Sequence, residues 1–195
     1  MPNKVKYNLK NVHYAPQTPG EDGAIPTFGT PVPIPGAVSL SLASQGNTTI
    51  FYADGMAYYT TSSNNGYQGD LVIALIPDSF SKDILKEVED ETAKTLSEYS
   101  DVQPEEFALL FEFDGDEKAI RHVLYNCKAT RPAVNGQTST ENIEPQTDSL
   151  SLTATPLPNY LVKTRTTEST PQETYDNWYK SVFMPAERTL EAEKA

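Results

Sequence analysis

The sequence predicts a mainly β fold of the α+β class, in which one or two helices flank the strands. Apolar and polar residues alternate along most of the 195-residue chain, which is the pattern of half-buried strands. Only two segments show the apolar spacing of an amphipathic helix. The 11 tyrosines and the many threonines suit a pleated surface. The length suits one domain, which we place at residues 1–184.

The N-terminal segment is predicted to be a strand followed by a long loop. Val5, Tyr7 and Leu9 alternate with polar residues, but the parity changes near Lys10 and Asn11, where we expect a bulge or a break. Residues 16–36 contain six prolines and four glycines. Because proline lacks a backbone donor, this segment should be mostly loop, with an edge strand at best.

Four further strands are predicted in the first half of the chain, at residues 38–42, 48–53, 56–62 and 71–76. Val38, Leu40 and Leu42 should face the core. Asp54-Gly55 is a strong signal for a tight hairpin turn between the second and third of these strands. The fourth is apolar on both parities, which is typical of a central strand covered on both faces.

The first helix is predicted at residues 78–88, capped by Asp78 and with Phe80 and Val88 on its apolar face. The apolar pattern then fades, so the acidic segment 78–104 should end as a helix extension or a loop. Strands follow at residues 106–113, 119–130, 149–154 and 160–167. On the second of these, Val123, Tyr125 and Cys127 should share one face.

A second helix is predicted to begin at Pro171 and to be ended by Pro185, with Thr170 as its N-cap and Glu173 completing a capping box. Its apolar face should pack on the sheet, and a binding stripe is the alternative. Residues 185–195 should form a charged, frayed C-terminal tail. The expected core anchors of this helix are Tyr175, Trp178, Tyr179 and Val182.

No motif of known catalytic or metal chemistry occurs in the chain. It has one cysteine and two histidines, which excludes a cysteine-based zinc cluster and argues against a multi-histidine site. Cys127 is expected to be a buried, inert thiol and His122 a surface or subunit contact. We therefore expect no enzyme activity, no metal and no cofactor.

The charge excludes several kinds of partner. The formal net charge is −12, so the chain should not bind nucleic acid or an anionic membrane. Separately, it lacks the run of roughly 18 apolar residues that a membrane-spanning helix needs. Residues 78–117 hold 14 acidic residues against three lysines, whereas Lys4, Lys6 and Lys10 precede the first acid. Such segregation suits association between copies, although a solvated helix and hairpin would also explain it.

Four runs of the sequence resemble the major tail protein (tail tube protein) family of long, flexible-tailed bacteriophages. They are VKYNLKNVHY at residues 5–14, TPVPIPGAVSLSL at 30–42, NNGYQGDLVIALIPDSF at 64–80 and FALLFEFDGDEKAIRHVLYNCKATRP at 107–132. The resemblance implies a β-sandwich or partly rolled barrel flanked by a helix, with a long Pro-rich loop and a terminal arm.

The resemblance also implies a function. Six copies would form a ring, and rings would stack into a tube that holds the tape-measure protein and later passes DNA without binding it specifically. Tail-terminator and baseplate proteins are the further implied partners. The expected location is the virion tail, after assembly in the host cytoplasm.

The charge pattern and the tube together suggest residues for two surfaces. Glu112 and Asp114, on the polar parity of their strand, are the candidates for facing the lumen. A contact between copies is expected to join two groups of residues. One group is Lys4, Lys6 and Lys10, and the other is Asp83, Glu87 and Glu91.

Two alternatives belong to other functional classes. One is an acidic β-sandwich module for binding or adhesion, for example to carbohydrate, that uses Tyr52, Tyr58, Tyr59 and Tyr67 as stacking platforms. The other is a glycosidase with two carboxylates, although no pair is marked out by its spacing.

Overall fold

An antiparallel sheet of nine strands forms the body of the protein in a computed structural model, which describes residues 3–138 and 144–186. The mainly β prediction is confirmed. The strands are β1 (Lys6–Thr18), β2 (Thr27–Phe28), β3 (Val32–Pro33), β4 (Ala37–Gln45), β5 (Thr48–Ala53), β6 (Met56–Ser62), β7 (Gly66–Ile73), β8 (Val88–Glu89), β9 (Leu96–Ser97), β10 (Glu106–Gly115), β11 (Ile120–Ala129), β12 (Asp148–Ala154) and β13 (Lys163–Arg165). The helices are α1 (Asp78–Asp83) and α2 (Gln172–Asp176).

The sheet is curved and open. Its strand order is β2-β1-β10-β11-β12-β7-β4, with β3 also paired to β1 and β13 to β11. β4 lies beside β1, so the sheet folds over itself in a sandwich-like manner without closing in the part of the chain that the structure describes. Two hairpins, β5–β6 and β8–β9, lie outside this sheet.

The first core lies inside the curve. Tyr14, Phe80 and Phe107 are fully buried there, and their rings meet edge to face at centroid distances of 5.1 and 5.4 Å. Such edge-to-face contacts are favourable for aromatic rings. Since Phe80 belongs to α1, this short helix covers the inner face of the sheet.

The second core lies on the opposite face of the same strands. Leu110, Val123 and Tyr125 of β10 and β11 are buried there against Trp178. The chain from α2 onward covers this face, and the Tyr125 hydroxyl fixes it by donating a hydrogen bond to the Phe183 carbonyl oxygen at 2.6 Å. The middle strands are therefore buried on both sides.

Irregularities in β1 explain its change of parity. The pairing of β1 with β10 shifts between Tyr7 and Leu9 and again between Lys10 and His13. Asn8 and Asn11 adopt positive φ angles of 53° and 50°, a conformation that asparagine tolerates better than most residues. The predicted bulge near Lys10 and Asn11 is thus confirmed. The segment predicted as a loop at residues 16–36 instead begins inside β1, which extends to Thr18, and it contains β2 and β3 as short edge strands on β1.

The first helix is shorter than predicted. It starts after Pro77, which takes the cap position without a side-chain hydrogen bond, and it ends at Asp83. Lys86 has a φ of 60°, which turns the chain out of the helix. Val88 therefore lies exposed in β8 instead of on the apolar helix face.

The second helix is also shorter, with five residues. Thr170 does not cap it, because its hydroxyl accepts a hydrogen bond from the Thr167 backbone N–H at 2.8 Å and Pro171 takes the cap position. Past Asn177 the chain continues in turns and wraps around the sheet. The aromatic residues reach the core without a continuous helix.

The predicted shared face of β11 is wrong. Asn126 has a φ of 46°, and the register of β11 against β10 shifts beside it. The extra residue reverses the parity, so Val123 and Tyr125 face the second core while Cys127 faces the first.

Three other strand predictions need adjustment at their ends. Val38 is exposed, because the pairing of β4 with β7 shifts between Ala37 and Ser39. The strand predicted at 71–76 stops at Ile73, and the last strand is limited to Lys163–Arg165. Of the predicted C-terminal tail, residues 187–195 lie outside the described residues.

Candidate functional site

Residues 37–73 form one long hairpin that extends out of the sheet. Its base, β4 and β7, belongs to the main sheet, whereas β5 and β6, among the described residues, pair only with each other. Backbone hydrogen bonds continue across the junction, from Asn65 N–H to the Gln45 carbonyl at 2.8 Å and from Ser63 N–H to the Asn47 carbonyl at 3.0 Å. We call residues 48–62 the arm.

The arm exposes large apolar side chains on both of its faces. Six such side chains are between 43% and 72% exposed, and Asp54 is the only charged residue of the arm. An isolated two-stranded ribbon is marginally stable in water, and exposed apolar surface of this extent marks an interaction site. The six residues are Ile50, Phe51, Tyr52, Met56, Tyr58 and Tyr59.

The arm ends in the tight turn that the sequence predicts. Asp54 and Gly55 have φ angles of 51° and 76°, as the two central residues of a type I′ turn require. The strands on either side pair from Ala53 with Met56 to Thr48 with Ser62. The turn therefore carries the arm's one charge at its tip.

The edge strand at the base of the arm has little protection against pairing apart from a register shift between Ala37 and Ser39 and its proximity to β1. β4 is hydrogen-bonded to β7 on one side and ends the strand order of the main sheet. Residues 37–53 contain no charged residue and no proline, the devices by which monomers block an exposed edge. This edge and the arm together form a continuous surface suited to association.

A cavity of about 500 Å³ opens beside the base of the arm. Its lining is partly apolar, and Lys163 supplies a charge at its wall. The Lys163 ammonium lies 4.3 Å from the centroid of the Tyr67 ring, a favourable cation–π distance. The lining residues are Ile25, Asn64, Tyr67, Asn159, Tyr160, Leu161, Val162, Lys163, Pro185 and Ala186.

Glu112, a candidate for the lumen, is enclosed within the subunit. It is only 5% exposed and accepts hydrogen bonds from Arg121 Nε at 3.0 Å, Asn11 Nδ2 at 2.6 Å and the Tyr179 hydroxyl at 3.2 Å. Burial, aided by the Glu112 charge, raises the pKa of Tyr179. A buried ion pair of this kind needs such additional hydrogen bonds. Glu112 therefore links β10 to the C-terminal segment.

Asp114, the second lumen candidate, pairs with the N-terminal strand. Lys10 Nζ lies 2.6 Å from its carboxylate and Asn8 Nδ2 donates to it at 2.9 Å, and these two bonds hold the pKa of the Asp114 carboxyl below its usual value. Lys6 lies 4.8 Å from the Phe113 ring centroid. The Lys4 backbone N–H donates to Asp116 at 2.8 Å.

The lysines of the acidic segment are paired within it. Lys82 and Lys94 both approach Glu89, at 3.1 and 3.6 Å, and Lys86 approaches Glu105 at 3.0 Å. Since these pairs are partly exposed, each contributes little to stability. The surplus of negative charge remains on this surface.

The acidic members of the predicted contact differ in their surroundings. Asp83 accepts a hydrogen bond from the Tyr14 hydroxyl at 2.7 Å, Glu87 is half-buried and Glu91 is exposed. Within one subunit, no ion pair among the described residues joins these acids to Lys4, Lys6 or Lys10.

The four predicted core anchors cover the second face of the sheet. Tyr175 and Trp178 are buried, and Tyr179 and Val182 pack against the same cluster. The Arg121 guanidinium lies over the Tyr175 ring and donates a hydrogen bond to the Tyr175 carbonyl oxygen.

The side chains of Cys127 and His122 both pack within the subunit. Cys127 is fully buried, and burial raises the pKa of its thiol to about 12. His122 stacks on Phe111 with the ring planes 6° apart. Burial, followed by the charges of Arg165, Lys163 and Lys6, lowers the pKa of His122 to about 4.

His122 should make the fold sensitive to mild acid. The unfolded chain takes up a proton at this residue below about pH 6.5, whereas the folded chain does so only near pH 4. The free energy of unfolding should therefore fall by about 2 kcal/mol between pH 6.5 and pH 4, allowing for partial solvent access. Chemical denaturation of the parent and of His122→Gln measures the effect. The variant should lose less stability over this window, and parallel pH profiles would contradict the assignment.

Neither a metal site nor a membrane span is found among residues 3–138 and 144–186. No group of three His, Cys, Asp or Glu side chains is arranged there to hold an ion. No helix in that part of the chain is both long enough and apolar enough to cross a membrane.

The chain is similar in structure to the tube-terminating cap of an anti-feeding prophage, solved by cryo-EM. The two have 15% sequence identity and a TM-score of 0.42, over 84% of this chain and 93% of that chain. No family model and no curated protein matches the chain.

The sequence located the arm's turn and its tyrosines but not the arm's separation from the body. The residue pattern of the two strands could have predicted this separation. Apolar side chains occupy both parities of Ile50–Tyr52 and Met56–Tyr59, while the strands lack the buried aliphatic residues that would fix one face to a core.

Proposed function

We propose that this protein is a structural, non-enzymatic subunit of a bacteriophage tail tube and that it assembles into stacked hexameric rings. The observation that carries the proposal is the arm, which presents an apolar surface with no partner on its own subunit among the described residues. The weakly protected edge of β4 supports it, because pairing edges around a ring satisfies their backbone groups. The sequence resemblance to tail tube proteins supplies the type of assembly.

The proposed partners follow from that resemblance. Copies of the chain form the wall, the tape-measure protein occupies the lumen, and tail-terminator and baseplate proteins meet the ends of the tube. DNA passes through without specific binding, which suits a chain of net charge −12. The location is the virion tail, after assembly in the host cytoplasm.

We also propose that part of the acidic surplus faces the lumen. Glu112 is engaged by Arg121 and Tyr179 inside the subunit, so Asp114 is the better of the two candidates. A structure of the assembled tube with an electropositive or neutral bore would contradict this proposal.

Negative-stain microscopy of the purified protein, together with sedimentation over a range of concentrations, tests the proposed function. Hexameric rings, or tubes of stacked rings, are expected. A monodisperse monomer at high concentration would overturn the proposal.

A binding module is the second candidate, and the exposure of Tyr52, Tyr58 and Tyr59 favours it. Such side chains stack well on sugar rings. A monomer that binds oligosaccharide, with binding lost in Tyr58→Ala, would support this function in place of the tube.

Charge reversal on the N-terminal strand tests the proposed contact between copies. Lys4→Glu combined with Lys6→Glu should raise the concentration needed for assembly by about tenfold and weaken its dependence on salt, because the facing surface would carry Glu87 and Glu91. Lys10 stays unchanged, since it pairs with Asp114. Lys180→Glu, at an exposed site outside the proposed contact, is the control. Unaltered assembly and salt dependence in the double variant would exclude the contact.

A further inference from the structure

We propose that the tip of the arm of one subunit docks into the cavity beside the base of the arm on a second copy of this chain. This inference rests on the tube function proposed above and names the surface that receives the arm. The cavity is the one lined by residues of the Pro-rich loop, the arm base, the 159–163 segment and the chain after α2.

The exposed area of the arm requires a protein partner. Its six large apolar side chains, at 43% to 72% exposure, hold roughly 800 Å² of accessible surface, which equals one side of a standard protein interface. A small ligand could not cover the area, because it lies on both faces of a ribbon. A second copy of the chain is the protein partner that the proposed tube function provides.

The cavity suits one end of that ribbon. At about 500 Å³ it is large enough to bury bulky groups, and its wall combines the apolar surfaces of Ile25, Leu161 and Val162 with polar side chains. Tyr160 stands beside it, 85% exposed. Met56 and Tyr58, close to the tip of the arm, are of the right chemistry to fill it.

The charges of the two surfaces match. Asp54 is the only charged residue of the arm, and Lys163 is the only charged side chain of the cavity lining within residues 3–138 and 144–186. Lys163 lies on the exposed part of β13, over the Tyr67 ring. Opposite charges at the rim of an interface orient the partners and exclude incorrect registers.

The geometry makes the contact intermolecular. The cavity adjoins the base of the arm at Asn64 and Tyr67. Asp54 lies at the far end of strands of six and seven residues, roughly 20 Å away along the ribbon. The tip therefore cannot reach its own cavity. Because tip and cavity are different surfaces, each copy receives one neighbour and engages another, and such a head-to-tail contact joins copies into a closed ring or an open chain.

Crosslinking distinguishes this arrangement from others. A variant with Ala57→Cys near the tip and Ala186→Cys at the cavity is treated with a short bismaleimide under assembling conditions. Cys127 does not interfere, since it is buried and its pKa is raised. A ladder of trimers and larger species is expected on a denaturing gel, because tip-to-cavity links extend from copy to copy.

Two matched variants serve as controls. Pairing Ala57→Cys with Val134→Cys, a fully exposed position outside the cavity lining, should give no ladder. Adding Lys163→Glu to the tip-and-cavity variant should lower the yield of the ladder by about tenfold, and adding Asp54→Lys as well should restore it, because the ion pair is rebuilt in reverse.

The possible outcomes test the docking of the arm separately from the proposed tube function. Dimers alone would indicate a symmetric arm-to-arm contact and would overturn the docking. Tubes without the ladder, or an equal ladder with Val134→Cys, would also overturn it while leaving the tube function standing. A protein that neither assembles nor crosslinks would refute both.

Discussion

A subunit with a polar arm is expected to fold normally and to remain unassembled. The variant replaces Phe51, Tyr52, Tyr58 and Tyr59 by serine. None of these side chains belongs to either core, so the melting temperature should stay within a few degrees of the parent's. Aromatic residues at the centre of an interface contribute about 2 kcal/mol or more each, and 1.4 kcal/mol is a factor of ten. The four changes together should abolish assembly, as seen by sedimentation and microscopy.

The matched control changes the same strands and removes only two methyl groups. Thr49→Ser with Thr61→Ser alters a cross-strand pair of the arm and should leave assembly intact. Two results would count against the role of the arm. One is assembly of the four-serine variant at the parent's concentration, and the other is a large fall in its melting temperature, which would mean that the arm packs on the body.

Trp178→Ala is expected to destabilise the subunit by about 3–5 kcal/mol, as for other buried aromatic residues. Trp178 is 2% exposed, stacks on Phe183 with centroids 5.5 Å apart and donates its indole N–H to the His122 carbonyl oxygen at 3.4 Å. Its removal would open a cavity under the C-terminal segment. Thermal unfolding should show a decrease of roughly 6–20 °C in the melting temperature.

Tyr58→Ala provides the comparison, because this residue is also a large aromatic but is 72% exposed. Measured below the concentration of assembly, it should change the free energy of unfolding by less than about 0.5 kcal/mol. Equal stability of Trp178→Ala and the parent would refute the core assignment of Trp178.

The sequence predicts the strands well because their signal is local. Alternation places the start of β10 at Glu106, and Asp54-Gly55 locates a turn that requires two positive φ angles. The helices were predicted too long for a related reason. The apolar spacing near Ile84 and Val182 indicates that these residues pack on a core. It does not indicate a helix, because a turn can place the same side chains there.

Other features depend on contacts distant in sequence. The parity of β11 reverses at Asn126, which bonds Gln17 from the N-terminal strand, and no local pattern marks that bulge. Glu112 reads as a surface residue by alternation, yet Arg121 and Tyr179 meet it only once the C-terminal segment has wrapped around the sheet. The exposure of the arm is likewise not visible in its local sequence, because it depends on whether another segment of the chain packs against it.

The continuity of the long hairpin determines how the molecule bears load. A force applied at Asp54 passes along β5 and β6 into β4 and β7, because hydrogen bonds run unbroken across the junction. β7 is bonded to β4 on one side and to β12 on the other, so a pull along the hairpin shears many ladder bonds at once. A partner bound to the arm is therefore connected to the main sheet through continuous strands. Tension on the arm is carried by the sheet and does not first extend a loop.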